Sequence, residues 1–245
     1  MEDGWSAIAA EWSELWGSST TALLEAIVAD TGVGPGTRVL DVGCGSGEML
    51  ALAASHGATV AGVDPAAGMV AIAARLAPAA DVRVGGAEQL PWPDDTFDVV
   101  TAINALQFAD DTDGALEELA RVTTPGGMIA IANWAGSAMS DLDVIQMAIA
   151  RADGEEPAPD GDLRAAGGLE QLVADAGLEL VASRTVASPW VLPSTDALVR
   201  AVLLGEDADR MADRAAIVVE AAAPFRYGDG YRLQNSFRLA IARVP

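Results

Sequence analysis

Val39-Leu-Asp-Val-Gly-Cys-Gly-Ser-Gly-Glu-Met-Leu50 decides how the rest of the 245-residue chain is read. Val39 to Val42 has the composition of a buried strand with one acid, Asp41, inside it. Gly43, Gly45 and Gly47 follow at alternate positions, and Glu48 to Ser55 then turns helical until Gly57 stops it. A strand that runs through glycines into a helix places backbone N–H groups beside a ligand. In open α/β sheets such a turn sits at the carboxyl end of a parallel strand, where ligands bind.

Downstream, Thr59 to Asp64 reads as a second strand ending in an acid, 17 residues after Gly47. In a strand–helix–strand unit that position meets ribose hydroxyls, for which a carboxylate is a good acceptor. Helix is expected again over Gly68–Leu76, strand over Asp81–Gly85, and a rigid loop over Gly86-Ala-Glu-Gln-Leu-Pro-Trp-Pro-Asp-Asp-Thr-Phe-Asp98. Strand Asp98–Ile103 delivers Asn104 and Gln107 at its exit. Helix Thr112–Val122 and the turn Pro125-Gly126-Gly127 lead to strand Met128–Ala132, with Trp134 beyond it. Strands alternating with helices give an α/β fold with a doubly wound, Rossmann-like sheet. Further on, helices are expected at Asp141–Ala152 and Leu169–Ala176, a polar loop at Asp153–Asp162 and a strand at Leu178–Val186. Two helices around Leu198–Leu204 and Met211–Ala222 precede a closing strand, Tyr231–Val244.

Upstream, Trp5, Ile8, Trp12, Leu15 and Trp16, then Leu23, Leu24, Ile27 and Val28, recur at helical spacing. Either these residues pack a helix onto the sheet, or the tryptophans form a lid over a bound ligand. The acidic start, Met1-Glu-Asp-Gly-Trp5, lacks the basic region of a signal peptide. No run of about 18 uncharged apolar residues appears, although hydrophobic residues make up 51% of the chain and mean hydropathy is +0.27. A cytoplasmic protein without a membrane span is expected.

The formal charge of −22 disfavours nucleic acid and anionic lipid as partners. All 14 basic residues are arginine. Without lysine there is no phosphate-loop lysine and no pyridoxal Schiff base. One histidine and one cysteine, His56 and Cys44, leave a zinc site without ligands and the chain without an internal disulfide. His56 is expected to cap the first helix at its carboxyl end, and Cys44 to serve as a small packing residue.

The glycine turn with Asp64, the loop Gly86–Asp98 and the turn Arg121-Val-Thr-Thr-Pro-Gly-Gly127 together resemble class I S-adenosylmethionine-dependent methyltransferases, in the subgroup acting on small molecules and quinones. The resemblance covers residues 35–134. It implies a seven-stranded, mostly parallel sheet with an antiparallel last strand, in a single domain over 1–245. Within it, residues 1–30 would form lid helices, 35–134 the cofactor-binding core, and 135–245 a substrate-side half capped by helices at about 190–225. It also implies that Asp41, Gly43 and Gly45 frame the methionine end of the cofactor, Asp64 the ribose, and Pro65 and Met69 the adenine edge. Ala87 would offer its N–H to adenine with Glu88 beside it, and Asn104 its carbonyl to the methionine portion. Gly86 departs from the pattern, since an acid often stands there to accept from the adenine amino group.

A nicotinamide dinucleotide is the rival ligand. Its Gly-x-Gly-x-x-Gly fingerprint fails at Glu48 when read from Gly43, and at Leu50 when read from Gly45. A carboxylate near a pyrophosphate is also repelled, whereas the sulfonium and ammonium of S-adenosylmethionine tolerate acids. The expected reaction is in-line methyl transfer, in which positioning supplies much of the acceleration. The acceptor is expected to be small and apolar, under a cap built from Trp5, Trp12, Trp16, Trp134, Trp190 and the 194–223 helices. A different class of outcome retains the cofactor for a non-methylating reaction such as cyclisation, or makes the chain a non-catalytic cofactor-binding subunit. No catalytic base is assigned; Gln107, Tyr227 and Tyr231 are candidates.

Overall fold

The computed structural model describes residues 2–156 and 159–245. Met1, at the start of the expected lid, and Pro157 and Ala158, inside the expected polar loop, lie outside the described residues.

The glycine turn joins β1 (Arg38–Val42) to α3 (Glu48–Ser55), behind α1 (Glu2–Trp16) and α2 (Thr21–Thr31). There follow β2 (Thr59–Asp64), α4 (Ala67–Leu76), β3 (Asp81–Val84), β4 (Phe97–Ile103), α5 (Thr112–Val122) and β5 (Thr123–Trp134). The remaining part comprises α6 (Asp141–Ala152), α7 (Gly168–Asp175), β6 (Glu179–Leu192), α8 (Thr195–Val202), α9 (Ala208–Ala221), β7 (Arg226–Tyr227) and β8 (Gly230–Arg243). The sheet runs β3-β2-β1-β4-β5-β8-β6, with the two-residue β7 folded onto β8 off this path. Pairs among β1 to β5 are parallel, and β8 lies antiparallel between β5 and β6. The doubly wound sheet and the reversed last strand are thus as the sequence implied, with β7 added.

Strand periodicity sorts the core into two layers. Leu40 and Val42 join α5 and α7 through Leu116, Leu119, Leu172 and Val173 on one face. Val39 meets α2 and α3 through Leu23, Ile27, Leu50 and Ala53 on the other. Asp41 shares the face of Val39 and is only 4% exposed, an acid in the middle of an apolar strand.

Two strands differ from expectation. The Pro125-Gly126-Gly127 turn does not precede β5 but bulges out of it. Phe97 pairs with Thr123 and Val99 with Met128, so four residues loop out opposite one. β6 continues through Pro189 to Leu192, well past Val186. It is an edge strand, so a proline without an N–H removes no ladder bond. β8 follows it, and the two project as a ribbon beyond the last β5 pair, Trp134 with Phe237.

That ribbon carries a third apolar cluster, where Trp190, Tyr231 and Leu233 pack against α1, α6, α8 and α9. Asp153 at the end of α6 takes Arg210 at 2.7 Å and also Arg214, which ties α6 to α9. No helix among the described residues is long and apolar enough to cross a membrane.

Candidate functional site

Helix α1 crosses the carboxyl edge of the sheet as a row of indoles. Trp5 and Trp12 meet edge-on at 5.1 Å, Trp12 and Trp16 stack at 4.9 Å, and Trp16 leans on Trp190 at 4.2 Å. Trp16 Nε1 donates to Ala201 O at 3.0 Å and Trp190 Nε1 to Leu15 O at 3.1 Å. Trp12, Trp16 and Trp190 therefore pack on one another and on the ribbon, with Trp5 and Trp12 half-buried. At its other end α1 lies on the start of α4. Gly68 N donates to Ser6 Oγ, and a Cβ on Gly68 would stand 2.5 Å from Ser6 O.

The glycine turn closes against the end of β2. Gly43 N and Cys44 N both donate to Val63 O, and Gly47 N to Cys44 O. Gly45 N donates to Asp64 Oδ2 and Ala66 N to Asp64 Oδ1, each at 2.9 Å. The expectation of bare N–H groups is thus corrected: four of the turn's donors already have acceptors within the protein, which leaves a poor phosphate cradle. The turn also needs glycine for closeness. Gly43 has φ +70°, and a Cβ there would stand 2.5 Å from Ala105 Cβ at the exit of β4.

Three carboxylates gather around this turn. Thr101 Oγ1 donates to Asp41 Oδ1 at 2.6 Å, and Ser46 Oγ donates to Glu48 at 2.7 and 2.9 Å. None of Asp41, Glu48 and Asp64 pairs with an arginine among the described residues, although most other ion pairs on the molecule are within 3.4 Å. Burial pushes the Asp41 carboxyl up to about 7; the Thr101 bond opposes that rise, and Glu48 and Asp64 add to it. Asp64 is also raised by burial, against the bonds from Ala66 and Gly45. Burial pushes the Cys44 thiol up as well, so it is not poised as a nucleophile.

The other implied positions lie around the same edge. Pro65 is exposed and Met69 is 3% exposed, packed against Ala9 and Ala66 beneath α1. Ala87 sits half-buried in the loop after β3, and its N–H has no acceptor among the described residues. Glu88 Oε1 accepts from Asp110 N at 3.0 Å, so one oxygen holds the loop that leads into α5. Asn104 has φ +51°. Its N–H reaches Ala132 O, its Oδ1 accepts from Trp134 N, and Gln107 Nε2 lies 3.5 Å from its carbonyl.

His56 is exposed at the far end of α3 from the turn, where its backbone N–H caps Leu52 and Ala53 carbonyls. Among the candidate bases, Tyr231 is fully buried with its hydroxyl 3.4 Å from Thr195 Oγ1, whereas Tyr227 is exposed on β7. Thr101 was not foreseen; a hydroxyl inside an apolar strand carries no sequence signal until Asp41 is seen opposite it. Arg121 was noted only within a motif. It grips the loop after β3 through Trp92 O, Leu90 O, Asp94 and Glu118.

Around this edge Asp41, Glu48 and Asp64 thus present carboxylates without an arginine partner, and Ala87 an N–H without an acceptor, among the described residues. Residues 40–131 match the family profile described as a methyltransferase domain. Malonyl-[acyl-carrier protein] O-methyltransferase of Serratia marcescens is 33% identical over 142 residues, 56% of each chain. Demethylmenaquinone methyltransferase of Renibacterium salmoninarum is 37% identical over 108 residues, 44% of this chain and 46% of that one. The chain spans about half the length of the curated relatives it matches. The crystal structure of a putative methyltransferase from Bacillus halodurans superposes with TM-score 0.63 over 91% of this chain and 98% of that one, at 18% identity.

Proposed function

We propose that the chain, whose residues 40–131 match a methyltransferase-domain profile, is a class I S-adenosylmethionine-dependent methyltransferase that methylates a small, largely apolar acceptor. One observation carries this reading. Four of the glycine turn's N–H groups are satisfied internally, while three nearby carboxylates have no arginine partner among the described residues. Such a site repels phosphate and attracts a sulfonium and an ammonium.

When bound, S-adenosylmethionine supplies an activated methyl group. The chain's own residues do the positioning. Asp41 and Glu48 hold the charged amino-acid end beside Gly43 and Gly45, and Asp64 accepts from the ribose hydroxyls. Pro65 and Met69 bound the adenine, Ala87 donates to it with Glu88 alongside, and the Asn104 carbonyl faces the methionine portion. Fixing donor and acceptor in line substitutes for a dedicated base when the acceptor is already nucleophilic. We place the reaction in the cytoplasm, in a single domain in which 1–30 and about 190–225 flank the 35–134 core.

Incubation with methyl-labelled S-adenosylmethionine and a panel of quinols, phenols and carboxylic acids tests the reading. Label recovered on an acceptor supports transfer. Conversion of an acceptor with the donor left intact would instead identify a non-methylating reaction.

A further inference from the structure

Resting on the methyltransferase reading, we propose that the cavity between α6 and the projecting end of β8 is the acceptor site, and that it takes an uncharged amphipathic small molecule. The cavity has a volume of about 560 Å³ and is walled by Met139, Val144 and Met147, with Gln234 and Ser236 from β8 as its floor. That volume suits a ligand of drug-like size. Met139 and Val144 are 42% and 43% exposed, so apolar surface is on offer there that the core leaves unburied. The tryptophans of α1, by contrast, are occupied with one another.

Position supports the assignment. Ser236 O accepts from Ala135 N at 2.9 Å, one residue after Trp134, whose own N–H bonds Asn104 Oδ1 at 3.1 Å. The floor is thus two strands away from the exit of β4, roughly 10 Å at the usual strand spacing.

The lining chemistry fixes the class. The Gln234 amide and the Ser236 hydroxyl have no side-chain hydrogen bond among the described residues, so both are available to a carbonyl or hydroxyl of the ligand. Asp141, the one acidic side chain of the lining, accepts from Gln234 N at 2.7 Å and has no arginine partner among the described residues. An anionic acceptor has no counter-charge there and meets a chain of net charge −22.

Methyl-¹³C methionine labelling reads occupancy directly, because Met139 and Met147 line the cavity while Met49 and Met69 are buried elsewhere. In the full chain, 2-naphthol is expected to shift the Met139 and Met147 signals and leave Met49 unmoved, and 2-naphthoate to shift neither. Val144→Trp fills the cavity from an exposed position. It should weaken 2-naphthol binding about tenfold or more, leave S-adenosylmethionine affinity by calorimetry unchanged, and raise KM for any phenol that takes the label. Unmoved Met139 and Met147 signals, equal shifts with 2-naphthoate, or undiminished binding in Val144→Trp would overturn the assignment. If the unaltered protein binds no S-adenosylmethionine, the parent reading fails; Met139 and Met147 shifts in that case mark a neutral-ligand site with no acceptor role.

Discussion

Replacing Asp41 with asparagine should make the ligand-free protein more stable at pH 8, although the change removes a charge from the candidate binding site. Asp41 is 4% exposed, and its carboxyl rises from an ordinary 3.8 to about 7. At pH below about 4 the group is protonated in both folded and unfolded chains. Between about 4 and 7 the unfolded chain releases the proton and the folded one keeps it, so stability falls as pH rises. Above about 7 both are ionised and the penalty levels off at about 4 kcal/mol, from roughly three pH units at 1.36 kcal/mol each. Asparagine keeps an oxygen for Thr101 Oγ1 and cannot ionise. Burying its amide returns about 1–2 kcal/mol of the gain, leaving roughly 2–3 kcal/mol. Urea unfolding of both proteins at several pH values from 5 to 8 isolates the effect as a difference, because all other titrating groups are common to the pair. The difference should grow with pH and flatten near 7.5. A difference that is constant across that range would refute the buried, uncompensated carboxylate.

Asp64→Ala removes the acceptor for two backbone donors and for the ribose; calorimetry should show S-adenosylmethionine affinity reduced by roughly 1–3 kcal/mol. Gly43→Ala forces a Cβ to within 2.5 Å of Ala105 Cβ at a φ of +70°; a loss of about 1–3 kcal/mol in urea unfolding is expected, partly recovered by adding Ala105→Gly. Arg121→Ala removes the donor to Trp92 O and Leu90 O of the loop after β3 and the partner of Asp94; amide exchange over 86–96 should quicken while β1 and β4 stay protected.

The central sheet was legible because the βα units change their hydrophobic period from 2 to 3.6 and mark the change with Gly or Pro after β1, β2 and β5, and with the N-cap Asp111 after β4. α3, β2, α5 and α6 therefore end where the residues say. β6 was expected to end at Val186 but runs through Pro189 to Leu192, and its place at the sheet edge makes the proline harmless. The bulge at Pro125–Gly127 was likewise invisible, since a turn inside a strand and a turn before one have the same composition.

The site was legible in residue type more than in arrangement. Asp41, Asp64 and the glycines could be named from spacing and family resemblance. Which acceptor each N–H uses depends on Val63 and Asp64 coming back beside the turn, a contact between strands. The surroundings of the tryptophans were hidden for a similar reason. Helical spacing puts them on one face of α1, but whether that face meets a void or Trp190 depends on a ribbon more than 170 residues away, as the Leu15–Trp190 bond shows.

The central claim is that the glycine turn holds a cationic, phosphate-free nucleoside. Calorimetric titration of the whole chain at pH 7.5 with S-adenosylmethionine and, separately, with NAD tests it most directly. The account predicts a one-to-one complex with S-adenosylmethionine, weakened by roughly 1–3 kcal/mol in Asp64→Ala, and no heat of binding with NAD. Binding of NAD in place of S-adenosylmethionine would contradict it.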